Sequence, residues 1–405
     1  MNRNDSEKIS GLMKQAGFSK SNINEADLIL INACSVRQSA IDRIWGKMKE
    51  IEKLKKEKNV RTILTGCVLQ KDRDRFEKYF NMEIKNMEEI ASLFNKRIRS
   101  VSPEFESNFS ASIPIMTGCN SFCSYCVVPY VRGKEESKDI NEILKQVKDL
   151  VRNGYKEIWL LGQNINNYNY KGTDFADLLK KVNSIKGDFW IRFTSPHPAR
   201  FSEKLTQTLA EAYKVTPYLN LPMQSGDNGI LKRMNRDYTK EQYFSLVKKI
   251  RKAFKEKRSG LEKELAVSTD VIVGFPKETE KAFRNTFNLF KKVGFDMAYI
   301  SSYSPRQGTA AFNMKDDVKK EEKDKRKRLL NNLLKKTAKE KNRKYLNKEV
   351  IVLVSGKKGN EYFGKTRSYK TVVFKNNSLN NLVGKFINVK ITKADSFGLK
   401  GICKN

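Results

Sequence analysis

The sequence has no run of 18 or more consecutive apolar residues, so it contains no segment that reads as a membrane-spanning helix. Its opening, MNRNDSEKIS, lacks the basic start and apolar core of a secretory signal, which predicts a cytosolic protein. Histidine is nearly missing: His197 is the single one, and a helix-entry or structural role suits it better than acid–base catalysis. Acidic side chains are scarce beside basic ones, 46 against 80, for a formal charge of +34. That balance attracts polyanions, nucleic acid first, although a lysine-rich surface alone also produces it. Cysteines number only six, three of them within eight residues, two after apolar runs, and Cys403 in the tail. In a reducing compartment this spacing favours metal ligation over disulfides.

What is present suffices for a large core. The 405 residues allow two or three domains, and 39% of them are hydrophobic. Residues 26–33 and 60–66 are short β-branched runs, each followed by a cysteine and then a helical stretch at 39–56 and 70–79. Strand and helix alternate there as in a small parallel α/β sheet, which puts Cys34 and Cys67 at the carboxyl ends of strands, where such sheets collect ligands. A polar, basic stretch at 95–112 reads as a linker.

Beyond it, apolar runs at 113–117, 157–161, 189–193, 218–223, 267–275 and 296–303 alternate with amphipathic helical stretches. Six β/α repeats predict a parallel sheet curled into a full or partial barrel, with active groups on the loops after the strands. Residues 315–348, with 15 Lys or Arg and six Asp or Glu, read as one basic helix whose apolar stripe holds Leu329, Leu330, Leu333 and Leu334. From 349 the pattern alternates as in strands, with turns at GKKGN and FKNNSLNN, which predicts a small basic β-barrel. The fold class is therefore α/β with three parts: 1–98, 109–340 and 343–405.

The strongest chemical signal is the loop Cys119-Asn-Ser-Phe-Cys123-Ser-Tyr-Cys126 after the first barrel strand. Three thiolates so spaced can hold three irons of a cubane and leave the fourth open, whereas zinc usually takes four ligands in paired spacing. The loop resembles that of radical-SAM enzymes, with Tyr125 where the superfamily has an aromatic against the adenine. There the open iron chelates S-adenosylmethionine, and reductive cleavage yields a deoxyadenosyl radical that abstracts hydrogen. Gln163 in LLGQNINNY, Ser195 in RFTSPHP and Gln224 in LNLPMQSGD follow the second, third and fourth strands, where cofactor contacts belong. Gln163 replaces a glutamate that holds the methionyl amine in the superfamily. Arg233 and Arg236 read equally as anion ligands or surface residues, and no catalytic acid or base stands out.

Together NACSVRQSA, LTGCVLQ, the cysteine loop with VPYVRGKEES, and LPMQSGDNGILKRMNRDYT resemble the radical-SAM methylthiotransferase family over nearly the whole chain. Within it, the Ser-Val-Arg after Cys34 and the Gly-Gln-Asn after the second strand resemble the group acting on N6-dimethylallyladenosine beside the anticodon of tRNA. The resemblance implies a second [4Fe–4S] cluster with three cysteines, two of which match Cys34 and Cys67; without it, both would read as buried apolar thiols. The family's first such cysteine precedes a segment like Met1-Asn2-Arg3-Asn4-Asp5-Ser6-Glu7, so the third ligand is missing from this chain, either through a truncated start that also removes the first strand or as a genuine variant with an incompletely ligated cluster. The resemblance also implies two molecules of S-adenosylmethionine per product, an electron donor and a sulfur source. The last 60 or so residues resemble the RNA-binding TRAM barrel, in which Lys365, Arg367 and Lys370 are candidates for phosphates and Tyr362, Phe363 or Tyr369 for bases. Methylthiolation of another adenosine or of a ribosomal-protein aspartate, and a basic RNA-binding protein with vestigial clusters, are the alternatives. No oligomerisation signal stands out, so a monomer is expected.

Overall fold

The computed structural model describes all residues except 37, 85–86, 94–102, 377–380 and 404–405. Part of the expected linker at 95–112, the Arg37 of Ser-Val-Arg and the middle of the FKNNSLNN turn therefore lie outside the described residues. The chain divides into two compact units. The first comprises Met1–Ser107, Thr117–Glu135 and Arg306–Phe312, and the second Asn108–Met116, Glu136–Pro305 and Asn313–Asn405.

In the first unit a three-stranded parallel sheet is ordered Leu28–Cys34, Arg61–Cys67, Met82–Glu83. Helix Gln38–Lys58 buries Ile41, Ile44, Met48, Ile51 and Leu54 at helical spacing, and the first four pack with Ala33, Leu64 and Phe76. Ile63, next to Leu64 in the strand, points to the other face and meets Ile9 and Leu12 of helix Asn2–Gln15. The sheet is thus covered on both sides, as a parallel sheet must be, and each fully buried aliphatic side chain contributes about 1.5–3 kcal/mol.

The second unit contains the six expected strands, Ser110–Pro114, Glu157–Leu161, Trp190–Phe193, Tyr218–Asn220, Ala266–Val273 and Met297–Ser302. They form two parallel three-stranded sheets joined by the bridge between Ile191 and Val215, so the sheet curls as a partial barrel. Its helices start where a side chain takes up a free backbone N–H: Asp139, Asp174, Ser202, Thr239 and Thr279 each cap one, and Thr239 with Gln242 forms a reciprocal capping box. The basic helix is Lys320–Arg343. Leu330, Leu334 and Ala338 are buried while Leu329 is exposed, so its apolar stripe is narrower than the leucine pattern alone implies.

The C-terminal strands Glu349–Lys358, Glu361–Thr366, Thr371–Lys375, Phe386–Ala394 and Leu399–Cys403 close into a barrel. Val352, Val354, Val372, Phe374, Val389 and Ile391 fill it. Tyr362 is among the core residues and stacks on Phe374, so it is packing rather than a platform for bases.

Candidate active site

In the first unit the strands bearing Cys34 and Cys67 pair so that the two cysteines are direct partners in register. The close pairing depends on Gly66, which has φ of 102° and no room for a Cβ between Asn32 and the Ala33 backbone. The turns beyond are locked. Ser35 N–H donates to the Cys67 carbonyl at 2.8 Å, and its buried hydroxyl donates to Asp72 at 2.6 Å while accepting from Leu69 N–H at 3.1 Å.

Two guanidinium groups flank this pair. Arg132, largely buried, donates to Asp5 Oδ2 at 2.6 Å and stands beside the Cys67 thiol. Burial pushes the Cys67 thiol up to about 11, against the pull of Arg132. Arg306, whose own pKa burial lowers, donates to Gln38 Oε1 at 2.6 Å and stands in the field of Asp72, Asp42 and Cys34. Neither arginine was singled out from sequence. Arg132 does stand within VPYVRGKEES, the motif after the cysteine loop, and that was the available signal.

The three-cysteine loop is held at both ends. Cys119 N–H donates to the Gly133 carbonyl at 3.2 Å, and Cys126 N–H to the Cys123 carbonyl at 2.9 Å, turning the loop back on itself. Gly118, at φ of 72°, lies against the Lys134 carbonyl where no Cβ fits. Ala311 N–H donates to the Ser124 carbonyl at 2.7 Å. Tyr125 and all three cysteines are half-buried, and burial raises the Cys119 pKa. Among the described residues no three His, Cys, Asp or Glu side chains converge closely enough to share one metal ion. Thiolates that each take a different iron of a cubane stand further apart than ligands of a single ion, so this all-sulfur donor set fits a cluster better than a lone zinc.

In the second unit the candidate cofactor residues stand on loops just past the strands. Gln163 follows Glu157–Leu161, and its Oε1 is buried without a hydrogen-bond partner. Ser195 and Gln224 both adopt left-handed backbone, φ 59° and 60°. Such conformations cost a non-glycine residue about 1–3 kcal/mol and gather at functional sites. Gln224 is fixed there by a bond from its N–H to the Asp270 carbonyl and another from Ile272 N–H to its own carbonyl. His197 plays the structural part expected of it. Its Nδ1 accepts from Ala199 N–H at 3.3 Å, and burial, then Arg236, lowers its pKa to about 3. Arg236 lies over the Tyr238 ring, and Arg233 is exposed.

The expected phosphate ligands are engaged inside the second unit. Lys370 pairs with buried Asp296 at 2.6 Å. Arg367 pairs with Glu262 at 2.6 Å and donates to the Tyr213 carbonyl. Lys365 donates to Thr371 Oγ1 at 2.7 Å and sits 4.7 Å over the Tyr369 ring. Arg367 and Lys370 are each only 8% exposed, so they fasten the barrel and have little surface left for a phosphate. Among the described residues no helix is long and apolar enough to cross a membrane.

Residues 113–290 match the radical SAM superfamily, 1–85 an uncharacterized protein family, UPF0004, and 343–404 the TRAM domain. The chain is 40% identical to the tRNA-2-methylthio-N(6)-dimethylallyladenosine synthase of Clostridium novyi, covering 99% of this chain and 94% of that protein. The enzyme of the same name from Fusobacterium nucleatum is 38% identical, over 99% and 97% of the two chains. Among solved structures, the radical S-adenosylmethionine methyltransferase TsrM from Kitasatospora setae superposes with a TM-score of 0.53 at 14% identity, over 76% of this chain and 69% of that one. The cobalamin-dependent radical enzyme OxsB does so at 0.51 and 12% identity, over 83% and 53%. Both likenesses are of fold. The chain belongs to the radical-SAM methylthiotransferase family, in the group of tRNA-2-methylthio-N(6)-dimethylallyladenosine synthases.

Proposed function

We propose that this enzyme adds a methylthio group to N6-dimethylallyladenosine beside the anticodon of tRNA. The observation that carries the reading is the three-thiol loop, in a chain alike over 99% of its length to relatives named for that product. Residues 109–340 serve the radical chemistry, 1–98 a second [4Fe–4S] cluster with the sulfur to be transferred, and 343–405 the RNA. Two molecules of S-adenosylmethionine are used per product, one for the methyl group and one for the radical.

Cys119, Cys123 and Cys126 hold three irons of the first cluster, and Tyr125 borders the adenine of the cofactor. Gln163 Oε1 accepts from the methionyl ammonium, which satisfies its buried lone pairs. Ser195 and Gln224, held in left-handed backbone, orient the rest of the cofactor. When bound, the cluster and S-adenosylmethionine supply the electron and the carbon radical that removes hydrogen from the substrate. Cys34 and Cys67, side by side on adjacent strands, offer two thiolates to the second cluster, with Arg132 and Arg306 balancing their charge. The chain's remaining task is to orient these groups and keep water from the radical.

The test is nucleoside mass spectrometry of tRNA from a bacterial strain without its own methylthiotransferase, expressing this chain or its Cys123→Ala variant. Methylthio-dimethylallyladenosine should appear with the parent chain and be missing with the variant. Unmodified dimethylallyladenosine in both strains would contradict the reading.

A further inference from the structure

An aromatic slot in the second unit joins Tyr369 and Lys365, both already candidates for RNA, to side chains outside the C-terminal barrel that have no role so far. Its floor is Tyr369, stacked on Tyr218 with ring centroids 4.6 Å apart and planes 29° from parallel. Its rim includes Met297, Tyr299 and Phe397, large apolar side chains that are 38%, 47% and 50% exposed. The cavity holds about 100 Å³, room for part of one planar ring system and too little for a folded peptide segment. Single surface aromatics are ordinary, but here three exposed apolar groups border one slot in a chain of charge +34.

The floor is built to stay still. Tyr369 has φ of 63°, a conformation that bulky side chains rarely adopt. Arg192 holds it from below, donating to the carbonyls of Thr366 and Arg367 at 2.9 Å each, with its guanidinium 4.9 Å from the Tyr369 ring. Lys370, the next residue, is tied to Asp296, and Tyr369 N–H donates to the Thr366 carbonyl at 3.0 Å. Lys365 brings an ammonium 4.7 Å over the same ring, a donor for a base carbonyl or a nearby phosphate oxygen. Exposed aromatic walls, here Tyr299 and Phe397, standing over a fixed aromatic floor with a cation beside them are elements with which proteins take hold of unstacked bases.

We propose that this slot binds one unstacked base of the RNA substrate, distinct from the base being modified. The inference rests on the tRNA reading and gives it a second point of contact. The test measures binding of the full chain to dimethylallyladenosine-containing tRNA across a salt series, for the parent and for Tyr299→Ala, Phe397→Ala, the double variant and Tyr299→Phe. Loss of one stacking contact weakens affinity about tenfold, Tyr299→Phe binds like the parent, and the salt slope is unchanged because no phosphate contact is removed. Ultraviolet crosslinking of the parent complex, which needs no variant, places RNA on Tyr299 or Phe397. Parent-like affinity in a folded double variant overturns the slot and leaves the tRNA reading standing, whereas a parent chain with no affinity for tRNA overturns both.

Discussion

The Arg132 guanidinium stands beside the Cys67 thiol and favours its charged form, and the same guanidinium holds Asp5 at 2.6 Å. Arg132 ends the helix Val128–Arg132 that follows the three-cysteine loop, and Cys67 ends the central strand of the N-terminal sheet. One side chain thereby ties the two cysteine sets of the first unit together. Cysteine ligates metal as thiolate, which burial opposes at Cys67 and a fixed neighbouring cation favours.

Arg132→Ala should therefore lower iron uptake at Cys34 and Cys67, by about four irons per chain, while cleavage of S-adenosylmethionine at the other loop persists. Arg132→Lys should restore part of it. Iron content and the cluster absorption spectrum after anaerobic reconstitution read this out. Undiminished iron in Arg132→Ala would show that the pair needs no cation.

Gln163 offers a buried acceptor without a partner. Gln163→Ala should weaken binding of S-adenosylmethionine about ten- to a hundredfold, the worth of a hydrogen bond to a charged group. Gln163→Glu, which puts a carboxylate opposite the ammonium, should bind at least as well as the parent. Equilibrium dialysis with the reconstituted protein measures both, and equal affinity for the alanine variant would remove Gln163 from the site.

The pattern of legibility has a physical basis. Cys119, Cys123 and Cys126 could be named as candidate ligands because a loop's spacing is one-dimensional, and Cys34 and Cys67 could be placed at strand ends because strand runs announce their own ends. The partial barrel followed from six apolar runs with amphipathic stretches between them. Arg132 and Arg306 were missed because tertiary topology alone carries them to the cysteines. Lys370 and Arg367 were correctly seen as cations, but their partners, Asp296 and Glu262, lie far away in sequence, so a surface role was assigned to groups that folding buries. The left-handed backbone at Ser195 and Gln224 had no signature, since neither is glycine.

Arg192 is fully buried and bonds Glu157 at 2.6 Å, Thr216, and the carbonyls of Thr366 and Arg367. Burial would raise the Glu157 pKa, yet the guanidinium prevails and holds it low. Arg192→Met should cost about 3–5 kcal/mol in urea denaturation, because it strands a buried carboxylate. Adding Glu157→Gln should recover part of the loss; a single variant as stable as the parent would contradict this.

His197 titrates near 6.5 when unfolded and at about 3 in the folded protein, chiefly through burial. The unfolded chain therefore binds the extra proton between these values, and stability falls as pH drops from about 6.5 toward 3. His197→Asn, which retains a side-chain acceptor for Ala199 N–H, should flatten the stability profile between about pH 5 and 6.5, above the ordinary carboxylate range. An unchanged slope in that window would place the dependence elsewhere.

The most direct measurement is anaerobic reconstitution with iron and sulfide, followed by reductant, S-adenosylmethionine and dimethylallyladenosine-containing tRNA, counting iron, deoxyadenosine and methylthio product together. About eight irons per chain with both products is the result expected of two working clusters, the second held by Cys34 and Cys67 with a substitute for the missing third cysteine. About four irons with deoxyadenosine alone would confine the chemistry to Cys119, Cys123 and Cys126, and no deoxyadenosine from the iron-loaded chain would contradict radical cleavage as its activity.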